Sequence, residues 1–273
     1  MKKIYLLILL SITISSCKSQ KEINFKVGYL PDMSYALTQK QITENNIKYI
    51  ASDEFLQNLK DNGIENPTIT KDTSLLKSIS KTGSLNGNEF SFDTELLESN
   101  NPTLIKGTKF YGKLIEGKTK IDSIYSSTMS EDMKNHILPF MESILDQIKF
   151  PHIKMKVGDS FELKNPISMP IADVTMEMEI NSIYTLKKVS NGIGYFDINQ
   201  VYNLKSASKD YIMDVDGTGA GQIYYDIENE ALTKFYLEME MSLTTELETF
   251  SIDLQTKSIV DQTTEIKKLS GSR

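Results

Sequence analysis

The chain reads as mainly β with α: a long, curved antiparallel sheet with one long helix covering its apolar face. Three observations predict this. From Asp173 to Glu248, apolar and polar residues alternate through four successive runs, the period of strands with one covered and one wet face. The connections between the runs are too short for a crossover helix, so the strands pair antiparallel. Residues 130–149 instead carry apolar side chains at a helical period.

Composition bounds the rest. The 273 residues are 39% hydrophobic and 25% charged, as in a globular protein. The net charge of −7 argues against a nucleic-acid partner, which needs clustered Lys and Arg. One Cys excludes an internal disulfide, and with only two His it leaves no basis for a His/Cys zinc site. No cofactor and no metal is expected.

The chain opens with Lys2 and Lys3, then the short apolar run Ile4 to Leu10, then small residues up to Ile14-Ser15-Ser16-Cys17. This is the layout of a secretory signal. The Cys directly after two small residues resembles the lipobox of bacterial lipoproteins, whose Cys is acylated and becomes the mature N-terminus. The alternative is an ordinary signal with an incidental Cys. The position of the chain's single Cys at the expected cleavage point favours the lipobox. Residues 1–16 are therefore expected to be a signal peptide and Cys17 the lipidation site, carrying acyl chains such as palmitate and anchoring the chain in a membrane. Removing two lysines and no acid makes the mature chain more acidic. Among such lipoproteins Asp after the Cys goes with the inner membrane. Lys18 therefore implies the outer membrane, and the tail Lys18-Ser19-Gln20-Lys21-Glu22, which does not match the acidic cluster of surface-exported Bacteroidota lipoproteins, favours its periplasmic leaflet.

Residues 17–28 read as a tether, 29–268 as a single β-rich domain and 269–273 as a tail. Met33, Tyr35 and Leu37 alternate with Ser34 and Thr38, a strand. Ser52 caps a short helix with Asp53 and Glu54 in its first turn and Gly63 at its end. Leu75 to Leu85 and Phe90 to Leu96 form a strand pair around Asn86-Gly87; Leu104 to Ile115 and Lys118 to Ile124 form another around Glu116-Gly117. Ser130 is the N-cap of the long helix, with apolar positions at Met133, Ile137, Phe140, Met141, Ile144, Leu145 and Ile148. Pro139 should kink or split it. Strands follow near 173–187, 193–205, 210–226 and 231–248.

The lipobox, the paired strands before the helix, the run Lys156-Val157-Gly158-Asp159-Ser160-Phe161, and the long strands with Gly217-x-Gly219-x-Gly221 and Tyr225-Asp226 together resemble an uncharacterised lipoprotein family of the Bacteroidota. The resemblance covers roughly residues 100–266 and implies no activity. A long antiparallel sheet with a helix in its hollow is also similar in architecture to the LolA/LolB half-barrels, which implies acyl chains on the concave face.

No GxSxG, HExxH or P-loop is present and His136 and His152 lie in no catalytic frame, so no enzyme is expected. Asp214-x-Asp216-x-x-Gly219 begins like a calcium loop but has Tyr225 where the closing Glu belongs. Glu177, Glu179, Glu238, Glu240, Glu246 and Glu248 fall on polar strand faces and read as a solvated surface. Asp122-Ser123-Ile124 resembles a short O-glycosylation motif of Bacteroidota.

The expected site is an apolar cleft. Gly217, Gly219 and Gly221 share parity with Met213, Val215 and Ile223, so they lie on the apolar face. Strand parity sets them across from Phe235 to Met241. Met176, Met178, Met213, Met239 and Met241 line the cleft, with Phe140 and Ile144 above. Methionine suits variable apolar shapes, which gives a lipid or acyl-chain ligand as one expectation. The other is a structural or accessory subunit, partnered by an outer-membrane protein and holding no small ligand.

Overall fold

The computed structural model describes residues 22–102, 104–135, 137–138, 150–171, 174–206, 212–247 and 249–269. The signal peptide and Cys17 lie outside these residues. The strands are β1 (Glu22–Phe25), β2 (Met33–Ala51), β3 (Thr68–Thr82), β4 (Glu89–Ser99), β5 (Lys109–Ile115), β6 (Lys118–Tyr125), β7 (Ile153–Lys156), β8 (Ser160–Ile171), β9 (Val174–Ser190), β10 (Ile193–Ser206), β11 (Ile212–Asp226), β12 (Ala231–Glu246) and β13 (Phe250–Lys268). A helix, α1 (Asp53–Asp61), follows β2.

Eleven strands form one sheet in the order β6-β5-β4-β3-β2-β13-β12-β11-β10-β9-β8, and β1 pairs with β7 in a separate ribbon. Every pair is antiparallel. Chain order is broken in one place inside the sheet, where the C-terminal β13 lies between β12 and β2 and joins the two halves. β6 and β8 are the edges.

Local chemistry sets the turns. Asn191-Gly192 and Glu116-Gly117 both have two consecutive positive φ values, 52° and 76° for the first and 51° and 77° for the second. That is the I′ geometry whose twist matches the strands. Lys156-Val157-Gly158-Asp159 is the turn between β7 and β8. Its Asp159 carboxylate accepts from Lys156 N at 2.7 Å, and Gly158 N donates to Leu186 O of β9 at 2.8 Å. In α1, Ser52 Oγ accepts from Phe55 N, and Gly63 follows with φ 74°, as the capping residues dictate.

The fold class expected from sequence needs correction. The protein is nearly all β, and no long helix covers the sheet among the described residues. Residues 131–135 and 137–138 are helical, with Ser130 Oγ accepting from Met133 N. Residues 136 and 139–149, with Phe140 and Ile144, lie outside the described residues. The cap and the periodicity report a helix start and an amphipathic stripe. They do not report which surface the stripe meets, and Pro139 removes a donor where a long helix would need one.

Other segments cover the inner face of the sheet. At one end the β1–β7 ribbon lays Ile23, Phe25 and Met155 on Tyr184, Leu186, Phe196, Ile198, Ile223 and Tyr225. Phe25 sits among the rings of Phe150, Phe161, Phe196 and Tyr225, with centroids 4.9–5.8 Å away. Tyr225 Oη donates to Lys26 O at 2.9 Å, tying the ribbon to β11. The expected tether therefore contains a strand of the core: Ile23 and Phe25 are 2% and 1% exposed. At the other end Met129, Ile137, Leu138 and Leu104 pack on Leu96, Phe110, Ile124 and Leu76.

Candidate functional site

Strand pairing sets Gly217 opposite Met241, Gly219 opposite Met239 and Gly221 opposite Leu237. The parity argument required this segment. Val215, Gly217, Gly219, Ile223 and Tyr225 are buried while Asp214, Asp216, Thr218 and Ala220 are exposed, so the glycines lie on the inner face. Asp214 and Asp216 point away from it. No group of metal-ligating side chains gathers among the described residues.

The methionines do not stand around an opening. Met178 is buried against Val215 and Leu243, with Met213, Met241, Leu204 and Leu254 packed on them. Met239 lies farther along β12, beside Gly219. Met176 pairs with Met169 at the far end of β9, and its side chain lies outside the described set.

The space above the glycines is largely taken. A Cβ on Gly217 would lie 3.2 Å from Tyr202 Cβ and 3.2 Å from Met241 Cγ. One on Gly219 would meet Gln200 Oε1 at 3.2 Å, and one on Gly221 would meet Tyr236 O at 2.0 Å. Gly221 is a seat for close backbone approach. Gly217 and Gly219 are flanked by Tyr202 and Gln200 of the neighbouring strand β10. A hydrogen-bonded chain crosses here: Tyr202 Oη donates to Gln200 Oε1 at 2.8 Å, and Gln200 Nε2 donates to Ser182 Oγ at 2.9 Å. A depression of about 560 Å³ lies on the opposite, outer face, lined mainly by the exposed residues Asn199, Val201, Thr218, Glu238, Lys257 and Ile259.

Gln200 and Tyr202 were not among the expected site residues. The signal was present: Gln200 occupies an inward position in the series Phe196, Ile198, Tyr202, Leu204. A buried amide in an apolar row needs partners, and Ser182 and Tyr202 supply them.

Burial, and to a lesser extent the nearby Tyr184, pushes the Tyr202 phenol up to about 12 from an ordinary value of 10. The folded state holds this proton more tightly than the unfolded chain. The stabilisation is complete below pH 10 and is lost as the pH rises through 12. Two pKa units correspond to about 2.7 kcal/mol in full, of which about 2 kcal/mol is gone by pH 11.5. Tyr202→Phe is expected to lower stability at pH 9 by about 1 kcal/mol, the lost hydrogen bond, and to lose about 2 kcal/mol less than wild type between pH 9 and 11.5. Urea unfolding at the two pH values measures both.

The outer face has a different character. Lys257 pairs with Glu240 at 2.9 Å and Lys71 with Glu44 at 3.8 Å, and Lys234 pairs with Asp261. Glu177, Glu238, Glu240 and Glu246 are exposed there. Ser123 is exposed on the edge strand β6, beside the bulge between Ile121 and Ser123.

No protein-family model matches the chain, and no curated protein matches it by sequence. Among solved structures it aligns with Ail, the attachment invasion locus protein of Yersinia pestis, at 4% identity and a TM-score of 0.15, over 83% of this chain and 98% of that one. It aligns with the outer membrane protein OprG from Pseudomonas aeruginosa at 7% identity and a TM-score of 0.23, over 89% and 98%. Acinetobacter baumannii OccAB4 aligns at 6% identity and a TM-score of 0.24, over 88% and 99%. At these scores the three alignments share extended antiparallel strands with this chain and carry no argument about its function.

Proposed function

We propose that the chain is a lipoprotein of the outer membrane, anchored through acylated Cys17, whose sheet serves as an accessory surface for an outer-membrane protein partner and holds no apolar ligand. The observation that carries the choice is the filled cleft. Met178, Met213 and Met241 pack into a cluster with Val215 and Leu243, and Gln200 and Tyr202 occupy the room left by Gly217 and Gly219. An acyl chain laid along the Gly219 row would have to displace the Gln200 side chain and break its hydrogen bonds to Ser182 and Tyr202.

The anchor reading rests on the sequence: the positive start, the short apolar run and the single Cys after Ser15-Ser16. No helix among the described residues is long and apolar enough to cross a membrane. The strands are also poorly suited to lipid. Lys40, Glu44, Glu238, Glu240, Lys257 and Asp261 fall on one face, and basic residues at a bilayer midplane cost about 2–4 kcal/mol each, acidic ones less.

Two measurements test the proposal. Cells fed labelled palmitate are expected to label the wild type and not Cys17→Ala, which should leave the membrane fraction; equal labelling of both would defeat the anchor. Titration of a fluorescent fatty acid into the wild type is expected to show no saturable binding. Saturable binding that Gly219→Leu abolishes would restore the carrier reading.

A further inference from the structure

The two faces of the central strands differ in kind. From Tyr35 to Ile47 on β2, and from Leu254 to Ile266 on β13, no inward position carries a charge. The outward positions of the same strands carry Lys40, Glu44, Asp253, Lys257, Asp261 and Glu265. A solvated sheet face normally carries charges and a packed one carries apolar side chains. The middle of this inner wall, between Leu37 and Ile47 on β2, carries neither. Its central positions are Gln39, Gln41, Thr43 and Asn45 on β2 beside Thr256 and Ser258 on β13, paired as Ser258 to Thr43 and Thr256 to Asn45.

These groups hold one another in place. Gln41 Nε2 donates to Ser258 Oγ at 3.2 Å, the Thr43 and Ser258 hydroxyls lie 3.2 Å apart, and Thr256 Oγ1 donates to Asn45 Oδ1 at 2.9 Å. Among the described residues no side chain engages the Gln39 amide or Asn45 Nδ2. Among the described residues these β2 positions are half-buried, and the apolar clusters that reach β2 and β13 do so on either side of them, through Leu254 on one side and through Tyr35 and Ile266 on the other.

We infer that this wall binds an uncharged polyhydroxylated ligand, of the class of a neutral oligosaccharide. Amides and hydroxyls both donate and accept, as does every sugar hydroxyl, whereas Lys only donates and an ionised Glu only accepts. An acyl chain would leave the amides unpaired, and an ionic ligand would find no counter-charge on the inward positions of β2 or β13 between Tyr35 and Ile47 and between Leu254 and Ile266. The nearest charge is Asp72, exposed on β3 across from Thr43. The inference does not depend on the anchor at Cys17.

The test uses the full chain in a zwitterionic detergent, with maltohexaose, xylohexaose and chitohexaose as neutral probes and hexagalacturonate as the charged comparator, read by calorimetry and saturation-transfer NMR. At least one neutral probe is expected to bind saturably, and hexagalacturonate more weakly. The double variant Gln41→Leu with Asn45→Leu should weaken binding about tenfold or more, a change of about 1.4 kcal/mol. Lys257→Ala, on the opposite face, should leave it unchanged. Asn45→Asp keeps the shape and the bond from Thr256, adds a charge, and should weaken binding even if the double variant is unstable. Failure of all three neutral probes to bind, tighter binding of hexagalacturonate, or undiminished binding by Asn45→Asp overturns the inference.

Discussion

Replacing Gly221 with alanine is expected to destabilise the protein by about 3 kcal/mol, while the same change at Gly219 costs less than about 1 kcal/mol. The two glycines lie two residues apart on the same face of β11, and what a Cβ would meet separates them. At Gly221 it would lie 2.0 Å from Tyr236 O and 2.9 Å from Leu237 Cα, both backbone atoms of the paired strand. Neither can move without shifting the ladder, so the cost sits at the upper end for overpacking. At Gly219 the nearest atoms are Gln200 Oε1 at 3.2 Å, Gln200 Cβ at 3.3 Å and Glu238 O at 3.4 Å, contacts that a shift of a few tenths of an ångström relieves. Alanine also restricts the unfolded chain, which returns about 0.4–1 kcal/mol at a compatible site. Urea unfolding of the two variants gives both values. Equal losses would mean that the strands do not approach as described.

Phe25→Ala is expected to cost about 3–5 kcal/mol, the range for a buried aromatic reduced to a methyl group. Phe25 is 1% exposed and touches four rings contributed by the segment before β7 and by β8, β10 and β11. β1 has only four residues and a four-residue partner, β7. Packing, more than its ladder, holds the ribbon on the sheet, since two short strands are marginal alone. Asn24→Ala, at the exposed neighbouring position, should change stability by less than about 0.5 kcal/mol. Thermal melts of the two variants decide the point. Similar small effects would mean that residues 17–28 form the polar tether suggested by their composition.

How much of this was legible depended on how each residue is buried. The strands from Val174 to Glu246 were readable because one face is covered and the other charged, so alternation marks each residue's side. Parity then set the three glycines across from the segment Phe235 to Met241, and the structure pairs them with Met241, Met239 and Leu237. The caps at Ser52 and Ser130 were readable because a cap is a contact within three residues. β2 was readable only at its start. Beyond Thr38 the run Gln39 to Asn46 has Ile42 as its one apolar residue, and a strand polar on nearly all of both faces has no hydrophobic period. β13 was missed for a related reason: Thr256, Ser258 and Gln262 face inward where apolar side chains would have announced a strand.

The sequence by itself determined the alternating strands, their faces, the tight turns and the chemistry expected of Cys17. These depend on residue type and on spacing of a few positions, which local backbone geometry converts directly into structure. Tertiary structure alone decided that β13 lies between β12 and β2, that the β1–β7 ribbon covers the sheet, and that Gln200 and Tyr202 flank the glycines. Each of those contacts joins residues far apart in the chain. Local propensity is blind to them, because the free energy that selects them comes from apolar surface and polar partners supplied by distant segments.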